Sequence, residues 1–189
     1  MATGARARLL EVLVARAFER KRVVLASGRE SDFFIDCKQA VLTAEGHALA
    51  GEAMLAALGV LVALAPCVAV AGVELGGCPL ASAVAMTSYA RGAPLDAVYV
   101  RKDAKDHGSR RLLEGSSRLP QGARIVLLED VVTTGGSTLK AAARLREAGF
   151  EVAGVVALVD RLEGGRAAIE AEGIRLVALF TRDDFIPPA

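Results

Sequence analysis

Cysteine is scarce in this chain, and the three copies present are badly placed for a framework. Cys37, Cys67 and Cys78 are odd in number and stand at no metal-ligand spacing along the 189 residues. That argues against a disulfide scaffold or a zinc site and reads as structural thiols in a reducing cytosol. Excess charge of either sign is also missing. A formal net charge of +1 gives no global pull toward nucleic acid or acidic membrane, so any basic site must be local. No internal repeat or low-complexity tract is present. The opening residues lack the apolar core and cleavage site of a signal peptide, which sets the expectation of a cytoplasmic protein. Residues 53–73 carry no charge and match a bilayer in count. Small residues dominate that stretch, however, and Pro66 splits it, so it reads as a helix end, a connection and a buried strand.

What the chain does have is a globular balance. Hydrophobic content of 53% against 24% charged residues suits one domain, or one domain with an appendage, around a substantial core. Its most informative stretch is residues 123–138. Residues 125–128 form a short, continuous apolar run, the pattern of a strand buried on both faces of a parallel sheet. Glu129 and Asp130 follow at the strand's carboxyl end. Thr133, Thr134, Ser137 and Thr138 then supply four hydroxyls around Gly135 and Gly136, just before a helical pattern that stops at Gly149.

That order has a physical meaning. Ligands of open α/β sheets bind beyond the carboxyl ends of the strands. Glycines let amide hydrogens converge, and a helix N-terminus adds partial positive charge, so the loop suits a phosphate. Two acids beside a phosphate cradle make sense if the ligand also carries vicinal hydroxyls, since ionised carboxylates accept hydroxyl donors. A phosphorylated sugar fits. The stretch is not a Walker loop, because no lysine precedes Ser137, and it is not Gly-x-Gly-x-x-Gly.

Elsewhere, leucines, valines and alanines at helical spacing predict an amphipathic helix over residues 6–20. Residues 23–36 read as two extended runs joined around residues 27–31, a hairpin-like unit. Thr43 can cap a helix running toward Gly59, and His47 within it has no nearby ligand partner. A strand over residues 67–71 leads into the glycine-rich turn Gly72-Val73-Glu74-Leu75-Gly76-Gly77, with Pro79 in the first turn of the next helix. A strand over residues 95–100 runs into Arg101-Lys102-Asp103-Ala104-Lys105-Asp106-His107-Gly108, part of a polar loop reaching Gly122. Five cations within eleven residues, 101–111, suit a solvated loop, a nucleic-acid contact or a segment closing over a polyanion; the lack of interleaved aromatics weakens the second. A strand over residues 151–159 ends in Asp160-Arg161, a short helix is expected at 166–171, and a last strand at 174–180. The strand–helix alternation from Cys67 onward predicts a parallel sheet with helices on both faces.

Residues 129–138 resemble the phosphoribosyl-diphosphate (PRPP) binding motif of the type I phosphoribosyltransferases. The Leu25-x-Ser27-Gly28-x-x-Ser31-x-Phe33 stretch and the Arg-Lys-x-x-Lys-Asp-His-Gly string resemble orotate phosphoribosyltransferases in particular. The resemblance covers nearly the whole chain and implies an α/β fold, a type I phosphoribosyltransferase-like parallel sheet flanked by helices. Residues 1–42 would form part of a small N-terminal hood, and residues 43–189 the core with a flexible catalytic loop at 101–119.

The implied reaction joins orotate to PRPP, giving orotidine 5′-monophosphate and diphosphate in pyrimidine biosynthesis. Glu129 and Asp130 would hold the ribose hydroxyls. The PRPP contacts would run through Val131, Val132, Thr133, Thr134, Gly135, Gly136 and Ser137, with the 5′-phosphate over 133–137. Arg101, Lys102, Lys105 and His107 would grip the diphosphate with Mg²⁺, which is held mainly through that diphosphate rather than by direct protein ligands. Lys105 and His107, with the two acids, are the catalytic candidates. Arg161 would pair with the orotate carboxylate, alongside Thr133, and Phe33 and Phe34 would be either neighbours of the base or core. The family implies a homodimer in which Lys102 reaches the neighbouring subunit's site. Ala26 and Gly76 stand where some relatives have lysines. A purine phosphoribosyltransferase is the alternative enzyme, disfavoured because a purine has no carboxylate for Arg161. A PRPP-sensing regulator that binds nucleic acid is the alternative of another class.

Overall fold

A computed structural model of the chain describes residues 2–24, 30–62, 66–102 and 112–187. In order, the elements are α1 (Ala2–Arg16), β1 (Phe18–Glu19), β2 (Val23–Val24), β3 (Glu30–Ser31), β4 (Phe34–Ile35), α2 (Lys38–Val41), α3 (Ala44–Val62), β5 (Ala69–Val73), α4 (Gly77–Ala90), β6 (Asp96–Val100), β7 (Leu113–Glu114), β8 (Arg124–Val132), α5 (Gly136–Glu147), β9 (Glu151–Asp160), α6 (Gly165–Ala171), β10 (Leu176–Thr181) and a 3₁₀ turn (Arg182–Asp184). Six strands make the main sheet in the order β10-β9-β8-β5-β6-β7. All of its pairings are parallel except that of β7 with β6.

Strand β8 shows why the sheet forms. Ile125, Val126, Leu127 and Leu128 are all fully buried, and alternate residues serve opposite faces. Val126 and Leu128 pack with α1, α3 and α4 residues such as Leu9, Met54 and Leu80. Ile125 and Leu127 pack with Ala141, Leu145 and Ile169 of α5 and α6. A strand apolar at every position satisfies two layers at once, as parallel sheets require. The buried Leu side chains contribute on the order of 2 kcal/mol each.

Several elements depart from the sequence reading. The first helix ends at Arg16 rather than near residue 20, because β1 pairs antiparallel with β4 and Asp36 N–H donates to the Ala17 carbonyl. Phe18 thereby joins a ring cluster with Phe33 and Phe185, at centroid distances of 5.2 and 5.5 Å. The hairpin-like unit is real only where Val23 and Val24 pair with Ser31 and Glu30; its second run continues to a different partner, β1. The polar stretch before Gly122 contains β7, an antiparallel edge invisible to hydrophobic period. Thr43 does cap α3, its Oγ1 accepting from Gly46 N–H at 3.0 Å.

The chain visits β5, then β6 on one side, then β8 on the other. The strand order therefore reverses between β5 and β8, whose carboxyl ends lie side by side. A crevice at such a reversal is where open α/β sheets place ligands. Among the described residues, no helix is long and apolar enough to cross a membrane.

Candidate active site

Both turns at the reversal depend on backbone packed too tightly for side chains. A methyl group on Gly72 would collide with the Gly77 carbonyl, and one on Gly76 would collide with the Asp130 carboxylate. Gly76 thus keeps the β5–α4 turn against the second acid of β8. A side chain there would require the Asp130 carboxylate to turn aside. Across the crevice, Gly135 takes a left-handed φ of 81° and opens α5, a conformation that costs most other residues about 1–2 kcal/mol.

The two acids are not equivalent. Glu129 is buried, and its Oε2 accepts hydrogen bonds from Ser137 Oγ and Thr138 Oγ1, each at 3.1 Å. It ties the first turn of α5 to the end of β8. Burial pushes its carboxyl up to about 8, and the neighbouring Asp130 charge adds to the rise, while the two hydroxyls oppose it. Asp130 is half-buried, accepts Val131 N–H on Oδ1 at 2.9 Å, and faces the Gly76 turn. Thr134, Gly136 and Ser137 are exposed at the crevice, whereas Val132 is buried in the core and offers a ligand only its backbone.

The basic side of the crevice is held from behind. Lys102 N–H donates to Glu74 Oε2 at 2.8 Å. Arg144 on α5 donates from Nη2 to the Lys102 carbonyl at 2.6 Å and from Nη1 to the Arg101 carbonyl. A cavity of about 500 Å³ opens here, lined by Val73, Val100, Lys102, Ser137, Lys140, Ala141 and Arg144. Lys105 and His107 lie outside the described residues, as do Ala26 and most of the Ser27-to-Ser31 turn.

A third corner completes the crevice. Arg161 N–H donates to the Val132 carbonyl and Gly165 N–H to the Thr133 carbonyl, both at 3.0 Å, so the β9–α6 turn is tied to the β8–α5 turn. The Arg161 guanidinium reaches toward the N-terminal strands, where Nη2 meets Ser31 Oγ at 3.2 Å and the Phe33 carbonyl at 3.0 Å. A cavity of about 350 Å³ lies beside it, lined by residues including Ser31, Asp32, Arg161, Glu163 and Arg182. A larger one, about 610 Å³, lies away from this crevice against Leu55, Cys67 and Leu95. Its lining is mostly apolar, and its polar side chains Ser88 and Arg91 are already bonded to Ala85, Leu95 and Glu52, so size alone does not mark the site.

Residues 66–172 match the model of the phosphoribosyl transferase domain. Over 96% of its length, the chain is 68% identical to an orotate phosphoribosyltransferase from Sorangium cellulosum (strain So ce56), covering 93% of that relative. The chain belongs to the orotate phosphoribosyltransferase family. Its fold matches the crystal structure of the family member from Mycobacterium tuberculosis H37Rv with TM-score 0.79 and 40% identity, covering 96% of this chain and 99% of that one. The same enzyme solved in complex with PRPP matches with TM-score 0.75 and 36% identity over 96% and 98% of the two chains.

Of the residues the family motifs single out, Lys102 and Ser137 line one cavity and Arg161 another, with backbone bonds tying the Val132–Thr133 turn to the Arg161 turn. Arg101 Nη1 lies 3.8 Å from Glu114 Oε1, and Glu129 is buried beneath the turn. Phe33 does not line it: its side chain is fully buried in the ring cluster. Phe34 is half-buried with Lys21 Nζ 3.9 Å from its ring centre. Glu74, Arg144 and Glu163 went unremarked in sequence as supports of the site, since each acts on residues distant in sequence or across a turn of unusual backbone. Among the described residues, no group of three or more His, Cys, Asp or Glu side chains is arranged to hold a metal ion.

Proposed function

We propose that this chain transfers the phosphoribosyl group of PRPP to orotate, releasing diphosphate and forming orotidine 5′-monophosphate. The observation that carries this reading is the direct tie between the two ligand corners. The Thr133–Ser137 phosphate turn and Arg161 are joined through the Val132 and Thr133 carbonyls. A sugar phosphate and a carboxylated base would therefore meet at fixed separation.

Displacement at the sugar C1 passes through a cation-like state, so the protein needs positioning and charge stabilisation rather than a covalent nucleophile. Asp130 offers an acceptor to the ribose hydroxyls. Glu129 sits one layer deeper and holds Ser137 and Thr138 in place for the 5′-phosphate. Arg101 and Lys102, held by Arg144 and Glu74, would meet the leaving diphosphate together with Lys105 and His107. When bound, Mg²⁺ would neutralise charge on that diphosphate; as a hard cation that keeps its waters, it fits a site in which the ligand's oxygens provide most of the coordination. Arg161 would take the orotate carboxylate, a forked task that suits guanidinium.

The working unit in this reading is a homodimer. Leu75, Met86 and Tyr89 are 63, 60 and 78% exposed, and α4 carries the last two on one face that continues to Tyr99 of β6. Leu75 directly follows Glu74, the acceptor of Lys102 N–H, so a second copy on this face would lie beside the diphosphate region, within reach of Lys102. Free thiols at Cys37, Cys67 and Cys78 fit a cytoplasmic setting. A sedimentation mass equal to one chain would exclude the dimer.

The selectivity assay tests the whole reading. Diphosphate release from PRPP is expected to require orotate and Mg²⁺ and to be absent with adenine or hypoxanthine. Turnover with a purine would instead make the chain a purine phosphoribosyltransferase.

A further inference from the structure

The turn after β9 is built in a way the reaction alone does not explain. Leu162 takes a left-handed φ of 58°, the single non-glycine residue with positive φ among those described, although its side chain is half exposed. Such a conformation is strained for leucine. Asp160, completely buried, holds it there: Oδ1 accepts Leu162 N–H at 2.9 Å while Oδ2 accepts Arg166 Nε at 3.1 Å. The reversal of the chain at Leu162 brings the side chains on either side of it together. Arg161 Nη2 and Glu163 Oε1 lie 2.9 Å apart, with only 11 and 12% of their side chains exposed.

This pair has an uneven pattern of hydrogen bonds. Nη2 of Arg161 is crowded by three acceptors, Ser31 Oγ, the Phe33 carbonyl and Glu163 Oε1. Its Nε is buried yet has no hydrogen-bond partner in the described structure. A buried donor left open is costly unless an acceptor arrives. Glu163 occupies one nitrogen of the fork and leaves the next one unfilled.

We propose that Glu163 is a positioning residue for Arg161. It holds the guanidinium by Nη2 so that Nε is presented to the carboxylate of the pyrimidine, and it thereby sets the preference for a carboxylated base over an uncarboxylated one. The inference rests on the reading that Arg161 receives that carboxylate. Glu163 touches no substrate in this scheme; its effect runs through Arg161.

The test is equilibrium binding of orotidine 5′-monophosphate and of uridine 5′-monophosphate, which differ by that carboxylate, to the intact protein and its variants. Glu163→Gln is expected to reduce the preference for orotidine 5′-monophosphate about tenfold, the scale of one charge-assisted hydrogen bond lost. Affinities for uridine 5′-monophosphate and PRPP should hold within about twofold of the parent. Glu163→Asp, which keeps the charge, should recover part of the preference. An unchanged or increased preference in Glu163→Gln would overturn the proposal, and so would equal weakening of all three ligands, which marks a general structural role. Arg161→Ala separates the two layers. If it leaves the preference intact, the carboxylate reading itself fails; if it abolishes the preference while Glu163→Gln does not, only the positioning role fails.

Discussion

Two buried acids stand at the ends of adjacent strands, and they solve the same problem in opposite ways. Glu129 on β8 and Asp160 on β9 each fasten the turn that follows. Asp160 does so with a cation, Arg166, and with a backbone N–H of a strained turn. Glu129 has only two hydroxyls, and another acid stands next to it. The first is a buried carboxylate paired with a half-buried guanidinium. The second is a carboxyl that burial and Asp130 keep protonated near neutrality. The difference shows where this molecule stores its chemistry. The turn that carries an acid without a cation is the one proposed to hold the ribose and phosphate.

Three measurements would break or sharpen that contrast. The largest effect is expected from Asp160→Ala, which strands Arg166 and releases the turn at Leu162. Chemical denaturation should show a loss of about 2–3 kcal/mol, the scale of losing a charge-assisted bond and leaving the Leu162 N–H without its acceptor. A loss under about 1 kcal/mol would mean that the strained turn holds itself. Gly135→Ala should cost roughly 2 kcal/mol, because the left-handed backbone resists a side chain and the new methyl would meet the Gly165 carbonyl at 3.0 Å. PRPP binding should weaken with it, whereas full retention of both properties would contradict a preformed phosphate turn.

The third measurement concerns pH. The folded carboxyl of Glu129, at about 8, lies above the ordinary value of 4.5. Below pH 4.5 the residue is protonated folded or unfolded, so its contribution is complete there. As pH rises from 4.5 through 8, the unfolded chain releases the proton first and stability falls; above 8 the fall levels off. Denaturation midpoints of the ligand-free protein should show this decline, and Glu129→Gln should flatten it. An identical slope in that variant would put the titration elsewhere.

The two turns also differ in how readily sequence reveals them. The β8–α5 turn was legible because its requirements are local: an apolar run, two acids, hydroxyls, and glycine at the one position with reversed φ. The β9–α6 turn was legible only as far as Asp160-Arg161. Nothing in a leucine announces a left-handed backbone, and the acid that enforces it acts through contacts that no periodicity encodes. The same reason hid β7 and moved the end of α1. A two-residue edge strand has no pattern of its own, and residues 18–19 become a strand only because residues 34–35 lie beside them.

By itself, then, the sequence determined the layered sheet, the position of its ligand-binding end and the family, since these follow from burial periods and from motifs contiguous in the chain. Only the folded molecule decided which acid faces outward, which carbonyls Arg144 holds, and that Glu163 would share a guanidinium with the N-terminal strands. Those choices depend on desolvation and on distances between residues up to 130 positions apart, quantities that exist only once the chain has packed.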